Sequence, residues 1–366
     1  MPVSPDHQHA NGEIDIASLH AQDSTGLLAR IDRAVVWDIP LTTPFRGITR
    51  RDGVLLHGPG GWGEVAPFWD YGLEASAPWL ASGLCQALGN SLLPRYRETI
   101  SVNVTVPEIS AQDASDLVRA SGARTAKVKV SGSSDKRAAD LERLEAVRSA
   151  LGRSGKVRID VNGAWDLDTA RENLPLMDRA AGGLEYAEQP CATVYDLADL
   201  RRAVDVPIAA DESIRLSANP LEIVHRRAAD VAILKVAPLG GVHRALDMAE
   251  RLGLPAVVSS ALDTSVGIMA GATLAFSLPS LSHACGLGTT HLLTQDVADP
   301  SVRPSNGTLR LDAAAPVSER LLNEVKAGPY LTTHWQTRLL HLAGALHARR
   351  QREARDPSRA VAGLPL

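Results

Sequence analysis

Between about residue 99 and residue 289 the chain alternates two textures. Short β-rich apolar runs stand at 101–106, 126–130, 157–162, 184–190, 207–212, 231–236, 255–260 and 283–288. Longer stretches with apolar residues at helical spacing separate them. In 136–151, for example, Leu141, Leu144, Val147 and Leu151 fall on one face, and Ser133 or Ser134 is available as a cap. The starts of the eight runs lie roughly 23 to 31 residues apart, which leaves one helix per gap. The pattern predicts an α/β fold, a modified TIM (β/α)7β barrel, because no comparable strand–helix text follows the eighth run.

The flanks read differently. From Ala34 to about Glu64 short strands are broken by turn residues, and a helical stretch then runs to Leu93. This α+β text predicts a second domain from residues 25–98, completed by about 312–348, around a barrel at 99–311. Residues 1–24 are polar, carry His7, His9 and His20, and show no sustained period, so a disordered tail is expected there. Residues 349–366 are charged and expected to fray. A doubly wound open sheet would want a glycine-rich phosphate turn early in the chain, and GPGGWG at 58–63 lacks the required order and the helix start after it.

Composition narrows the partners. A formal net charge of -4 over 366 residues offers no basic face to nucleic acid, which leaves a small molecule as the expected partner. Aromatics make up 4%, so alanine, leucine and valine must supply the packing. Cys85, Cys191 and Cys285 are far apart and in no metal or redox spacing, which suits a reducing compartment. No apolar run approaches the ~18 residues of a membrane span, and the N-terminus lacks a signal-peptide pattern. A cytoplasmic protein without membrane insertion is expected.

In a parallel barrel chemistry gathers where strands end. The third run closes with Asp160 and Asn162, the fourth with Glu188, the fifth with Asp211 and Glu212, the second with Lys127 and Lys129, and the sixth with Lys235. Asp160, Glu188 and Asp211 are 28 and 23 residues apart, one strand–helix unit each, so they belong on neighbouring strands at one rim. Three crowded carboxylates repel unless a divalent cation compensates, and oxygen ligands favour Mg²⁺ or Mn²⁺. Lys129 and Lys235 are four strands apart in a ring of eight and should face each other across the mouth. Lys127 points to the same side as Lys129, and a neighbouring ammonium lowers the pKa of a lysine base. Each acid alone is more often a helix cap or loop anchor, and each lysine more often an edge or surface residue. Five charges within apolar runs at one rim would be too costly to bury without a function.

At these residues a family resemblance appears. AKVKV at 126–130, RIDVNGAW at 158–165, EYAEQP at 185–190, AADES at 209–213 and LKVAPLGG at 234–241 resemble, in that order, the strand motifs of the muconate-lactonising branch of the enolase superfamily. Within that branch the chain is most similar to the menaquinone-pathway dehydratases in their actinobacterial form. TPFRGI at 43–48 and GWGEVAPF at 61–68 resemble the capping segments that close over the barrel in that group. The resemblance implies Mg²⁺ on Asp160, Glu188 and Asp211, Lys129 as acid and base, and Lys235 facing it to stabilise an anion. Asn162, Lys127 and Glu212 would support them, while Arg158, Ser259, Ser260 and Gly288 would bind a carboxylate substrate. The implied reaction is dehydration of 2-succinyl-6-hydroxy-2,4-cyclohexadiene-1-carboxylate.

Rival readings share parts of this pattern. N-acylamino acid racemases, dipeptide epimerases and muconate cycloisomerases share the two lysines, but an epimerase carries an AspXaaAsp on the eighth strand, where this chain has CGLG at 285–288. A mandelate-type histidine is missing after the seventh strand, which reads SSALD at 259–263. A metal-free aldolase forming a Schiff base at Lys235 would leave the acid triad without a purpose.

Overall fold

A computed structural model describes residues 12–310 and 316–355. A short helix, α1 (Ile16–Gln22), opens the fold. An antiparallel sheet follows, with β1 (Arg33–Phe45), β2 (Ile48–Gly58) and β3 (Gly61–Val65) in that order, and then α2 (Leu73–Ala87). After β4 (Thr99–Ser101) come β5 (Val104–Val106), α3 (Ala111–Ser121), β6 (Thr125–Lys129), α4 (Arg137–Leu151), β7 (Lys156–Asp160) and α5 (Leu167–Ala180). The alternation continues with β8 (Leu184–Glu188), α6 (Val194–Ala203), β9 (Ile208–Ala210), and the single turns α7 (Glu212–Arg215) and α8 (Glu222–His225). Next are β10 (Val231–Lys235), α9 (Val236–Leu239), α10 (Val242–Leu252), β11 (Ala256–Ser259) and α11 (Ser265–Ser277). The chain ends on β12 (Thr308–Arg310), α12 (Glu319–Glu324) and α13 (Pro329–Arg355).

β5 to β11 form one parallel sheet in sequence order. Two isolated parallel bridges, Val102 to Cys285 and Ser259 to Gly286, close it into a ring, so the eighth run enters as a narrow stave. The first run splits at Asn103: β4 pairs antiparallel with β12, and only β5 joins the barrel. The expected serine cap of α4 is also replaced, by a 3₁₀ turn over Ser134–Lys136 that leads into the helix without a side-chain cap.

Period-two alternation sorts the barrel interior. Tyr186, Ala209, Val231, Ile233 and Val257 form an inner apolar plug. One step further along the same strand faces come Glu188, Asp211, Lys235 and Ser259. The plug therefore sets a dry floor, and the charged groups stand above it at the C-terminal rim.

The cap is built from both ends of the chain. Leu19, Trp79 and Leu84 share an apolar core with Trp335, Leu339 and Leu342 of α13. Both expected tails are partly folded. Asp15 caps α1 by accepting from Ala17 N and Ser18 N at 3.0 and 3.3 Å, Leu19 is fully buried, and Glu13 pairs with Arg33 and Lys326 at 2.7 and 2.8 Å. His20 serves structure, with Nε2 at 3.1 and 3.0 Å from the carbonyls of Leu28 and Ile31. At the other end α13 continues to Arg355, where Glu353 meets Arg244 and Arg349, and Arg352 meets Glu74. His7, His9 and residues 356–366 lie outside the described residues.

Candidate active site

The strand register brings the acids and lysines together. Lys129, Asp160 and Glu188 are the last residues of β6, β7 and β8, and they stand side by side in the pairing. Asp211 follows β9 directly, and Lys235 ends β10 opposite Ser259 of β11. Lys129 and Lys235 are thus separated by β7, β8 and β9. Two left-handed residues fix the rim. Asn162, at φ 53°, turns its N–H back onto Asp160 Oδ1 at 3.2 Å. Gln189, at φ 42°, accepts from Asp211 N at 2.9 Å and Ser213 N at 3.2 Å, which sets the height of Asp211 relative to Glu188. Such conformations cost energy and persist where the surroundings enforce them.

The side chains form one charged network. Lys127 Nζ donates to Asp160 Oδ2 at 2.6 Å and to Glu188 Oε1 at 2.8 Å. Lys129 Nζ donates to the same Asp160 oxygen at 2.8 Å and to Asn162 Oδ1, and Asn162 Nδ2 donates to Glu212 Oε1 at 3.1 Å. Lys235 Nζ donates to Asp211 Oδ2 at 2.6 Å. Among the described residues no three acid, histidine or cysteine side chains already stand as a metal cage. Ammonium groups bridge the carboxylates.

Burial and neighbours push these groups apart in proton affinity. Burial alone would depress Lys127, but the carboxylates of Asp160 and Glu188 prevail and hold it well above the usual lysine range. Lys129 is lowered, by burial first and by the Lys127 ammonium, against the pull of Asp160. Burial works to raise Asp160, yet Lys127, Lys129 and Lys235 hold it far below the usual carboxylate range. Asp211 falls to about 2 because Arg215 and Lys235 outweigh burial. Glu188 goes the other way, pushed up to about 7 by burial and by Asp160 and Asp211, against Lys127 and Lys235. Two lysines two residues apart on one strand therefore differ: one is locked as a cation, and the other is eased toward the free amine that a base requires.

Above this network a pocket opens to solvent. Lys127, Lys129, Asp160, Asn162, Lys235, Ser259 and Ser260 all line it. Phe45, Arg46 and Phe68 of the cap segments roof it, with Arg46 at 4.2 Å from the Phe68 ring centre and Lys129 at 5.5 Å from that of Phe45. Ser260 Oγ bonds Gly286 O and Thr289 Oγ1 at 2.7 and 2.8 Å.

Two expected substrate contacts fall elsewhere. Arg158 lies one alternation deeper, fully buried, with Nε on Glu185 at 2.6 Å, Nη1 on Asn103 Oδ1 and Ala284 O, and its guanidinium over the Tyr186 ring. It belongs to the barrel interior. Gly288 lines a separate groove with Val104, Leu117 and Pro304, on the outer side of the strands. Glu212 does not line the cavity, and it reaches the network through Asn162 and Arg215.

Sequence reasoning missed Arg215. It lines the cavity and bonds Asp211 at 3.0 Å, Glu212 at 2.7 Å and the hydroxyl of Tyr71 in the cap at 2.6 Å. Its position after AADES, one helical turn beyond Asp211, was the available signal. Lys235 is ion-paired to Asp211 at 2.6 Å.

Comparison with known proteins places the chain in a family. Residues 110–316 match the family described as enolase C-terminal domain-like, and residues 36–87 match the enolase N-terminal domain-like family. The o-succinylbenzoate synthase of Thermobifida fusca (strain YX) is 52% identical over 305 residues, covering 82% of this chain and 93% of that protein. That of Mycobacterium tuberculosis (strain ATCC 25177 / H37Ra) is 48% identical over 296 residues, covering 81% and 89%. Among solved structures, a substrate-liganded L-Ala-D/L-Glu epimerase from Bacillus subtilis matches with TM-score 0.66 at 26% identity, covering 79% of this chain and 98% of its own. An N-succinyl Arg/Lys racemase from Bacillus cereus ATCC 14579 shares the fold with TM-score 0.69 at 20% identity, covering 81% and 98%. The chain belongs to the enolase superfamily, and within it to the o-succinylbenzoate synthases of actinobacterial type.

Proposed function

We propose that this protein dehydrates 2-succinyl-6-hydroxy-2,4-cyclohexadiene-1-carboxylate to 2-succinylbenzoate, a step of menaquinone biosynthesis. The observation that carries the reading is the pair Lys129 and Lys235, which line one cavity from strands β6 and β10 and bond the rim carboxylates Asp160 and Asp211. Lys129 Nζ takes the proton from the carbon that bears the substrate carboxylate. As an ammonium it then gives that proton to the departing hydroxyl group on the same face, releasing water. Lys235, from the far wall, offers its ammonium to the negative charge that develops between those two transfers. Aromatisation drives the loss of water.

The donor set suits a divalent cation, specifically Mg²⁺. Asp160, Glu188 and Asp211 are buried oxygen donors on neighbouring strand ends. Glu188 is pushed up to about 7 by burial first and then by Asp160 and Asp211, and a cation would offset that carboxylate repulsion. These three residues would hold the ion, which when bound stabilises negative charge growing on the substrate carboxylate. Asn162 and Glu212 hold Lys129 and Arg215 in place, and Ser259 and Ser260 contact the succinyl or ring portion.

No helix among the described residues is long and apolar enough to cross a membrane. Three free, buried cysteines suit a reducing compartment, and we place the protein in the cytoplasm. The test is a spectroscopic assay for 2-succinylbenzoate formation, run beside a racemisation assay on N-succinyl amino acids. Racemisation without dehydration would overturn the assignment.

A further inference from the structure

Glu64 and Asp263 are buried carboxyl groups near the cavity that the proposed chemistry does not use. Glu64, on β3 of the cap, is 4% exposed, and Asp263, between β11 and α11, is 7% exposed. They converge on one glycine. A Cβ built on Gly267 would stand 2.7 Å from Asp263 Cβ, 3.1 Å from Asp263 Cγ and 3.2 Å from Glu64 Cδ. Glu64 also holds the start of α11, a barrel helix 200 residues away in sequence. It accepts from Thr264 N at 3.2 Å, from Gly267 N at 3.1 Å and from the Thr264 hydroxyl. Asp263 Oδ2 accepts from Ala261 N at 3.0 Å, and Leu262 between them takes a left-handed φ of 59°. Ser259, Ser260, Ala261 and Leu262 are the cavity wall carried by this turn.

The charges facing the pair are few. From β2 comes Arg51, fully buried and bonded to the Ala66 and Ala261 carbonyls, with Asp52 and Arg46 acting on it in turn. From β10 the Lys235 ammonium acts on Asp263. From the loop after the eighth stave Asp296 accepts from Ser265 N at 3.0 Å, across the start of α11. Gln86 of α2 is neutral and ties Glu64 N to Val266 O. Burial, followed by the Asp263 charge, pushes Glu64 up to about 8 against Thr264 and Arg51. Burial raises Asp263 as well, against the Ala261 N–H, Arg51 and Lys235. Adjacent carboxyl groups of this kind hold one proton between them rather than ionise together.

Resting on the dehydratase reading, we propose that Glu64 and Asp263 act as one proton-sharing carboxyl pair that fastens the 259–262 wall of the cavity to the cap. Glu64 is then a positioning residue for substrate binding and not a catalytic residue. Below about pH 8 the pair keeps its proton and the wall is held; above it two anions share a buried site and the wall loosens.

Two variants test this. Glu64→Ala removes the clasp, while Glu64→Gln keeps an acceptor for Thr264 and Gly267 and cannot lose a proton. Steady-state kinetics from about pH 6 to about pH 9.5 would be read beside backbone hydrogen exchange over 259–267, corrected for intrinsic rates. Glu64→Ala should raise KM about fivefold or more at neutral pH with kcat within about twofold, and speed exchange in that segment. Glu64→Gln should restore the neutral KM and abolish the rise in KM expected of the wild type above about pH 8. An unchanged KM in Glu64→Ala, an equal alkaline rise in Glu64→Gln, or unaltered exchange in Glu64→Ala would each overturn the proposal. Glu64→Gln is isosteric, so it decides the matter even if the alanine variant fails to fold. A wild type that makes no 2-succinylbenzoate would sink the dehydratase reading alone, because the exchange measurement needs no substrate.

Discussion

Replacing Tyr71 by phenylalanine removes one oxygen from the contact between cap and barrel. That oxygen accepts from Arg215 Nη1 at 2.6 Å, while Arg215 remains bonded to Asp211 and Glu212. The guanidinium is 6% exposed, so water replaces the lost partner poorly. A hydrogen bond to a charged group contributes roughly 1.5–3 kcal/mol. Because two carboxylates continue to satisfy the guanidinium, the low end applies, about 1.5 kcal/mol, or roughly a tenfold change in an equilibrium constant. The contact joins the cap to the rim and touches no reacting atom. The loss should therefore appear in substrate binding: KM up by roughly tenfold and kcat within about twofold. Steady-state assays of 2-succinylbenzoate formation at saturating Mg²⁺ would measure both constants. A fall in kcat with KM unchanged would refute the reasoning, since it would mean that Tyr71 acts on the transition state.

Lys129→Ala should abolish dehydration while circular dichroism and the melting curve stay close to wild type; full turnover would remove the base. In the wild type, kcat/KM should rise with pH as Lys129 loses its proton, along a limb below the ordinary lysine range, because Lys129 is lowered by burial and by Lys127. A limb at the usual lysine position would contradict the network. Asp211→Asn should weaken Mg²⁺ binding by an order of magnitude or more, as read by calorimetric titration. Arg158→Met should lower stability by about 3 kcal/mol in denaturant titrations, since it takes the guanidinium from Glu185 and leaves it His283, and should leave KM near wild type. Glu185 is held at about 2, chiefly because His283 and Arg158 outweigh burial, so its contribution is complete above the ordinary carboxylate range and fades as pH falls toward 2. The stability deficit of Arg158→Met should shrink accordingly in acid.

The barrel and its rim were legible because two periods coincide. Alternation along a strand decides which side faces inward, and the recurring strand–helix spacing puts Lys129, Asp160, Glu188, Asp211 and Lys235 at one rim. Alternation does not report depth: Arg158 faces inward as expected but lies one step lower, among residues such as Tyr186 rather than in the cavity. Helix α1 escaped notice because seven residues show too little of a helical period, and its stability comes from distant partners in the cap. The charged end of α13 read as solvated because Glu353 and Arg244 are 109 residues apart, and nothing local announces their pairing. Glu64 was hidden for the same reason, since the Thr264 and Gly267 groups it holds belong to the barrel.

The construction of the cap from both termini bears on how the protein is made. During synthesis Leu19, Trp79 and Leu84 leave the ribosome long before Trp335, Leu339 and Leu342, against which they pack. The barrel can form as its strands emerge in order, but the first-made domain must wait, with apolar faces uncovered, for the last-made helix. A chain stalled before Pro329 would be a finished cylinder attached to an unfinished, adhesive lid, and chaperones would be expected to engage it there.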